Sequence, residues 1–184
     1  MLAARKRIAC KSEWLGGVIA AAPLVENRLG ISIMGTDGWT VYYDPDWFGY
    51  FDAYVEGCLL HEYLHCLCDH IGRREDRDVG LWNVAADYAI NPLVTKMFSM
   101  PKQTTLLDPR FAGMSVEAIY DRLGGEGNSF AAKTGQNLGV QLANPDLPAD
   151  LSGKPLQQAR RRWRSLIKAA GKPPEFLRAA IDEI

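Results

Sequence analysis

The stretch that most constrains this chain is His61-Glu62-Tyr63-Leu64-His65, embedded in the apolar run VEGCLLHEYLHCLC. Apolar residues recur at helical spacing from about Asp52 to Ile71, which predicts one helix over that span, stopped by Gly72. A helix this apolar has to be buried, yet it carries two imidazoles and a carboxylate. Buried polar groups need a reason to be there. Two histidines four residues apart lie about 40° apart around a helix, and both can reach one ion. Zinc takes nitrogen and oxygen ligands in a tetrahedron and lowers the pKa of a bound water to roughly 7. Glu62, next to the first histidine, is placed to take that water's proton. The spacing therefore predicts a zinc centre with His61 and His65 as ligands and Glu62 as general base.

The third ligand has two candidates. His70 lies nine residues past His61, about 180° around an unbroken helix, and would point away from the ion. It could return only if the chain turned between Leu67 and His70, where the residues are Leu67, Cys68 and Asp69 and no glycine stands. The other candidate comes from the segment LWNVAADYAIN. Asn83, Asp87 and Asn91 recur every four residues and form a polar stripe on an apolar helix. A buried carboxylate in such a stripe needs a cation or donor beside it. Asp87 is the preferred ligand and His70 the alternative. If Asp87 does not ligate, it orients one of the histidines. Asn83 and Asn91 are read as hydrogen-bond partners of the active helix.

Around this centre the pattern predicts a mostly helical chain with a small sheet, an α+β arrangement in one domain over 1–184. Residues 3–29 read as helix, broken near Pro23. Residues 31–34 and 39–43 read as a hairpin about the turn Thr36-Asp37-Gly38. A second helix spans 80–91 and ends at Pro92. Another opens at Ser115 and runs to Leu123. Residues 124–155, rich in Gly, Asn, Pro and Asp, read as a long loop. A basic helix at 156–170 and a short one at 174–184 close the chain.

Composition excludes some classes. The 184 residues carry a net charge of −1, so the chain as a whole is not a nucleic-acid binder by charge. No apolar run reaches the roughly 18–20 residues of a membrane helix. The basic and apolar N-terminus is read as a first helix rather than a leader, because Lys11, Ser12 and Glu13 interrupt it. The four cysteines, Cys10, Cys58, Cys66 and Cys68, form no disulfide framework and fit a reducing cytoplasm as small core residues.

The run from Thr36-Asp37-Gly38-Trp39-Thr40-Val41-Tyr42-Tyr43-Asp44-Pro45 through HEYLHCLCDH to LWNVAADYAIN resembles the metallopeptidase domain of bacteria and their phages. That domain often precedes a von Willebrand A-like domain. MSVEAIYDRL and GKPPEFLRAAIDEI also look similar. The resemblance implies a zincin fold, with His61, Glu62 and His65 as its site residues and Asp87 or His70 as the further ligand. It also implies a protein or peptide substrate paired along an edge strand, here expected at 39–43. A following von Willebrand A-like domain would be expected after Ile184, so a partner function tied to it lies outside the sequence at hand.

Two functions compete on these residues. The first is a zinc-dependent endopeptidase, with Tyr63, Tyr88 or Arg73 as the donor to the oxyanion. The second is a non-catalytic module that binds an acidic partner or nucleic acid through the helix 156–170. There Arg160, Arg161, Arg162 and Arg164 flank Trp163.

Overall fold

A computed structural model describes residues 1–26, 34–47, 52–125 and 153–181. The N-terminal segment forms two helices, α1 (Leu2–Lys11) and α2 (Glu13–Ile19). The expected helix over 3–29 breaks first at Ser12 and then ends at Ile19, ahead of the expected break near Pro23, and residues 27–29 lie outside the described residues. The Ser12 hydroxyl caps the second helix by accepting from the Leu15 N–H at 3.3 Å. Arg5 donates to the Ala22 carbonyl at 2.8 Å, and beyond Pro23 the chain becomes a strand, β1 (Leu24–Glu26). Local helical pattern yields here to pairing with the rest of the sheet.

Strands β2 (Met34–Thr36) and β3 (Val41–Tyr43) complete a three-stranded sheet in the order β1-β3-β2. β1 runs parallel to β3 and β2 antiparallel to it. The hairpin is present, but its first strand covers Met34–Thr36, so Thr36 pairs in the strand and is not part of the turn, and residues 31–33 lie outside the described residues. The expected edge strand at 39–43 is a correction: β3 is the central strand, and its backbone is paired on both sides. It therefore has no free edge to offer an extended peptide. The turn between the strands is built by side chains. The Asp37 carboxylate accepts from the Trp39 and Thr40 N–H groups at 2.9 and 2.8 Å and from the Tyr42 hydroxyl at 3.0 Å. Gly38 takes the positive φ of 100° that this turn requires.

After short 3-10 turns at Pro45–Trp47 and Asp52–Tyr54 comes α3 (Val55–Leu67), which carries the H-E-x-x-H motif. Leu59, Leu60, Tyr63, Leu64 and Leu67 are buried in the main core against α1, α2 and the sheet. Each fully buried Leu of this kind contributes roughly 1.5–3 kcal/mol. At Gly57 the helix passes so close to the next segment that a Cβ would sit 2.3 Å from the Ser99 carbonyl oxygen.

The helix does not continue to Ile71. It ends at Leu67, Asp69 turns the chain in the left-handed region (φ 51°, ψ 38°), and a short α4 (His70–Arg73) follows. Next, α5 (Val79–Val94) starts at Asp78, whose carboxylate accepts from the Leu81 N–H at 2.8 Å. It runs through Pro92, because only the last turn lies beyond that residue and the Asn91 carbonyl is still capped by the N–H and hydroxyl of Thr95. One face of α5 joins the main core through Ile90 and Val94. Another packs through Leu81, Val84, Ala85 and Tyr88 on α6 (Val116–Gly125) and on Phe111.

The C-terminal part forms α7 (Gly153–Ala170) and α8 (Glu175–Ile181). Most of the expected loop at 124–155 lies outside the described residues. Its ends are helical instead, in α6 up to Gly125 and in α7 from Gly153. The described chain is thus mainly helical with one small sheet, and no described helix is long and apolar enough to cross a membrane. Cys66 and Cys68 are buried as expected, Cys58 is half-buried, and Cys10 is exposed, contrary to a core role.

Candidate metal centre

One turn of α3 separates His61 from His65, and α5 lies beside that turn. Three donor atoms converge there. The two Nε2 atoms are 2.9 Å apart, and Asp87 Oδ1 lies 3.4 Å from His61 Nε2 and 3.2 Å from His65 Nε2. Among the described residues these three side chains form a group that could hold a metal ion. Ligand atoms bonded at about 2.0–2.1 Å on three corners of a tetrahedron sit about 3.3 Å from one another. The observed separations already approximate that triangle.

The surrounding hydrogen bonds make the triangle acceptor-rich. Asn91, one turn along α5 from Asp87, donates through Nδ2 to the Leu106 carbonyl at 3.1 Å. That fixes its amide, so Oδ1 must face His61 Nδ1, at 2.8 Å. His61 Nδ1 therefore carries the proton, and its Nε2 is a bare lone pair aimed at the centre. Asp87 is buried, and its Oδ1 makes no hydrogen bond. A buried carboxylate oxygen without a donor, set against an imidazole lone pair, calls for a cation between them. The donor set fits a metal ion on these grounds.

The charges respond to one another. Burial pulls the His65 imidazolium down, but the close Asp87 carboxylate, with the charge of Glu62 behind it, outweighs burial and leaves the group above its usual range. Burial pushes the Glu62 carboxyl up, against the pull of His61 and His65 and with a push from Asp87. Glu62 makes no hydrogen bond or ion pair among the described residues, so its carboxyl is uncommitted.

His70 does not point away from the motif. The left-handed turn at Asp69 swings it back, and its Nδ1 lies 3.0 Å from His65 Nδ1. It reaches the far side of the His65 ring and is not part of the converging set. The expectation of an unbroken helix is corrected here. Aspartate tolerates the left-handed region better than most residues, and an ion pair from Arg160 on α7 to Asp69 Oδ2, at 2.6 Å, holds it there. Burial first, and then the neighbouring charges of His65, Arg73 and His61, hold His70 well below the usual imidazole range.

The expected oxyanion donors fare poorly. Arg73 makes a bidentate pair with Glu117 at 3.0 and 2.7 Å and donates to the Cys68 carbonyl. Tyr63 points into the main core, on the opposite side of α3 from the histidines. Tyr88 packs on Phe111 with ring centres 4.7 Å apart. The basic helix is also partly spent inside the fold. Trp163 is buried and donates to the Gly38 carbonyl at 2.8 Å, Arg162 stacks over Trp39, and Arg160 is tied to Asp69. The aromatic and two of the cations that suggested a nucleic-acid patch thus hold α7 to the sheet turn and the metal-centre turn.

A family model described as "Putative metallopeptidase domain" matches residues 1–152, most of the chain. No curated protein and no solved structure matches it.

Proposed function

The chain belongs to that family, and from this premise we propose that it is a zinc-dependent endopeptidase with a zincin-like fold. His61 Nε2, His65 Nε2 and Asp87 Oδ1 would hold the ion. Two imidazoles and one carboxylate suit zinc and leave a fourth position open. Held there, zinc would supply a Lewis acid that makes water a nucleophile near neutral pH.

The remaining chemistry falls to Glu62. The residue is half-buried, its carboxyl makes no hydrogen bond among the described residues, and burial raises its affinity for a proton. In its ionised form it accepts the proton of the attacking water, and it then returns that proton to the leaving amine. Asn91 keeps His61 in the tautomer that presents Nε2. The substrate is a protein or peptide.

The observation that carries this reading is the meeting of two imidazole nitrogens with an unpartnered, buried carboxylate oxygen beside an uncommitted glutamate. The test pairs elemental mass spectrometry of zinc per chain with cleavage of an unstructured protein substrate. Glu62→Gln should keep about one zinc and lose cleavage by on the order of 10²–10⁴-fold. Cleavage that survives in Glu62→Gln removes the peptidase reading. A wild type that takes up no zinc when it is supplied removes the zinc reading as well.

A further inference from the structure

We propose that His70 is a positioning residue: by accepting a hydrogen bond from His65 Nδ1–H, it fixes His65 in the tautomer that offers Nε2 to the metal. The inference rests on the metal-centre reading above and adds a residue to it.

The two Nδ1 atoms are 3.0 Å apart, with the rings nearly perpendicular at 80°. One hydrogen lies between these two nitrogens, whereas between the Nε2 atoms of His61 and His65, 2.9 Å apart, the cation of the reading above takes the hydrogen's place. If His70 carries it, the neutral His65 has its own hydrogen on Nε2, aimed at His61 Nε2 and Asp87 Oδ1, and cannot ligate. If His65 carries it, its Nε2 is bare and faces the other two donors. Only the second arrangement serves a cation, and it needs an acceptor where His70 Nδ1 stands. Asn91 Oδ1 plays the same part for His61. Each histidine of the motif thus has its own acceptor, one from α5 and one from α4.

The position of His70 is held from several directions. Trp82 Nε1 donates to the His70 carbonyl at 2.7 Å. The Arg73 N–H donates to the Asp69 carbonyl at 2.9 Å and starts α4. Arg160 pairs with the Asp69 carboxylate. Gly72 leaves room for that carboxylate, since a Cβ there would come within 2.5 Å of Asp69 Oδ1. A left-handed non-glycine residue is unfavourable on its own. Helix α5, α4 itself and helix α7 thus combine to hold one ring where His65 needs it.

The test uses the full chain and measures metal binding rather than turnover. Zinc affinity is read by competition with a chromophoric chelator, and the geometry of the site by the visible absorption of the cobalt(II) form. His70→Ala removes the acceptor and should weaken zinc by about 10–100-fold, the usual effect of losing such a partner. His70→Asn, whose Oδ1 can take the place of Nδ1, should recover most of that loss and restore the wild-type cobalt spectrum. Should the alanine variant fail to fold, His70→Leu fills the volume without an acceptor and replaces it. Wild-type affinity in the folded alanine or leucine variant overturns the proposal. So does an asparagine variant that binds no better than alanine. A wild type that binds neither zinc nor cobalt, or binding that survives His61→Ala, overturns the metal centre itself and this inference with it.

Discussion

Two carboxylates in this chain are about equally buried, Asp37 at 6% exposure and Asp87 at 3%, and their surroundings are opposite. Asp37 meets only donors: two backbone N–H groups and the Tyr42 hydroxyl. Its hydrogen-bonding demand is met within ten residues of sequence, and the result is a rigid turn. Asp87 Oδ1 meets imidazole nitrogens and has no hydrogen bond. Surroundings made of donors mark a carboxylate that serves structure. Surroundings made of acceptors mark one that is completed by a cation.

The contrast can be broken by experiment. The largest expected effect is on metal binding. Asp87→Ala should weaken zinc by more than about 100-fold, beyond the usual range for outer partners, while Asp37→Ala leaves zinc affinity within about threefold, because that turn touches no ligand. Chelator competition on both variants decides this. Next, a hundredfold excess of zinc over its dissociation constant should stabilise the wild type by about 2.7 kcal/mol. That increment should vanish in Asp87→Ala and persist in Asp37→Ala, as read by urea unfolding with and without zinc. Without metal, Asp37→Ala should be destabilised by roughly 2 kcal/mol, because three donors lose a charged acceptor.

The smallest effects concern pH, and the two sites should fail at opposite ends. Burial and the Asp37 charge raise the Tyr42 phenol above its usual value. Its contribution is therefore fully present below the unfolded tyrosine pKa of about 10 and is lost as pH rises through the higher folded value. Tyr42→Phe should cost about 1 kcal/mol at neutral pH and flatten that part of the alkaline limb. At the proposed metal centre protons would compete with the ion. The raised His65 means that, as pH is lowered, zinc affinity should begin to fall while pH is still above the ordinary imidazole pKa of about 6.5. A zinc titration across pH 5–8 that shows no such fall would remove Nε2 of His65 from the ligand set.

Much of the site was legible because its spacing is local. Histidines four apart on an apolar helix can meet only on one face, and the four-residue stripe of Asn83, Asp87 and Asn91 pointed to Asp87 and to Asn91 as a partner of α3. The left-handed turn was not legible. Asp69 carries no strong signal for that conformation, and what holds it is an arginine 91 positions further on. Gly72 reads as a helix stop, whereas in the fold it makes room for the Asp69 carboxylate. Ser12 reads as an interruption of an apolar run, whereas it caps α2. Strand β1 was missed because its three residues sit in a helical pattern and become a strand only beside β3. The central place of β3 depends on that same pairing.

The ties from the last helices back to the first half of the chain also set an order in time. Trp14 donates to the Gly171 carbonyl, Trp163 to the Gly38 carbonyl, and Arg160 pairs with Asp69. A ribosome builds the chain from the N-terminus, so His61, His65 and Asp87 are all made well before the arginine that holds the turn behind them. If that turn sets His65, the growing chain carries an incomplete centre until α7 has emerged. The region matched by the family model ends at residue 152, one residue short of α7. Nascent chains arrested before and after Arg160 clears the exit tunnel should then differ in zinc uptake, and equal uptake would show that the centre matures without its C-terminal clasp.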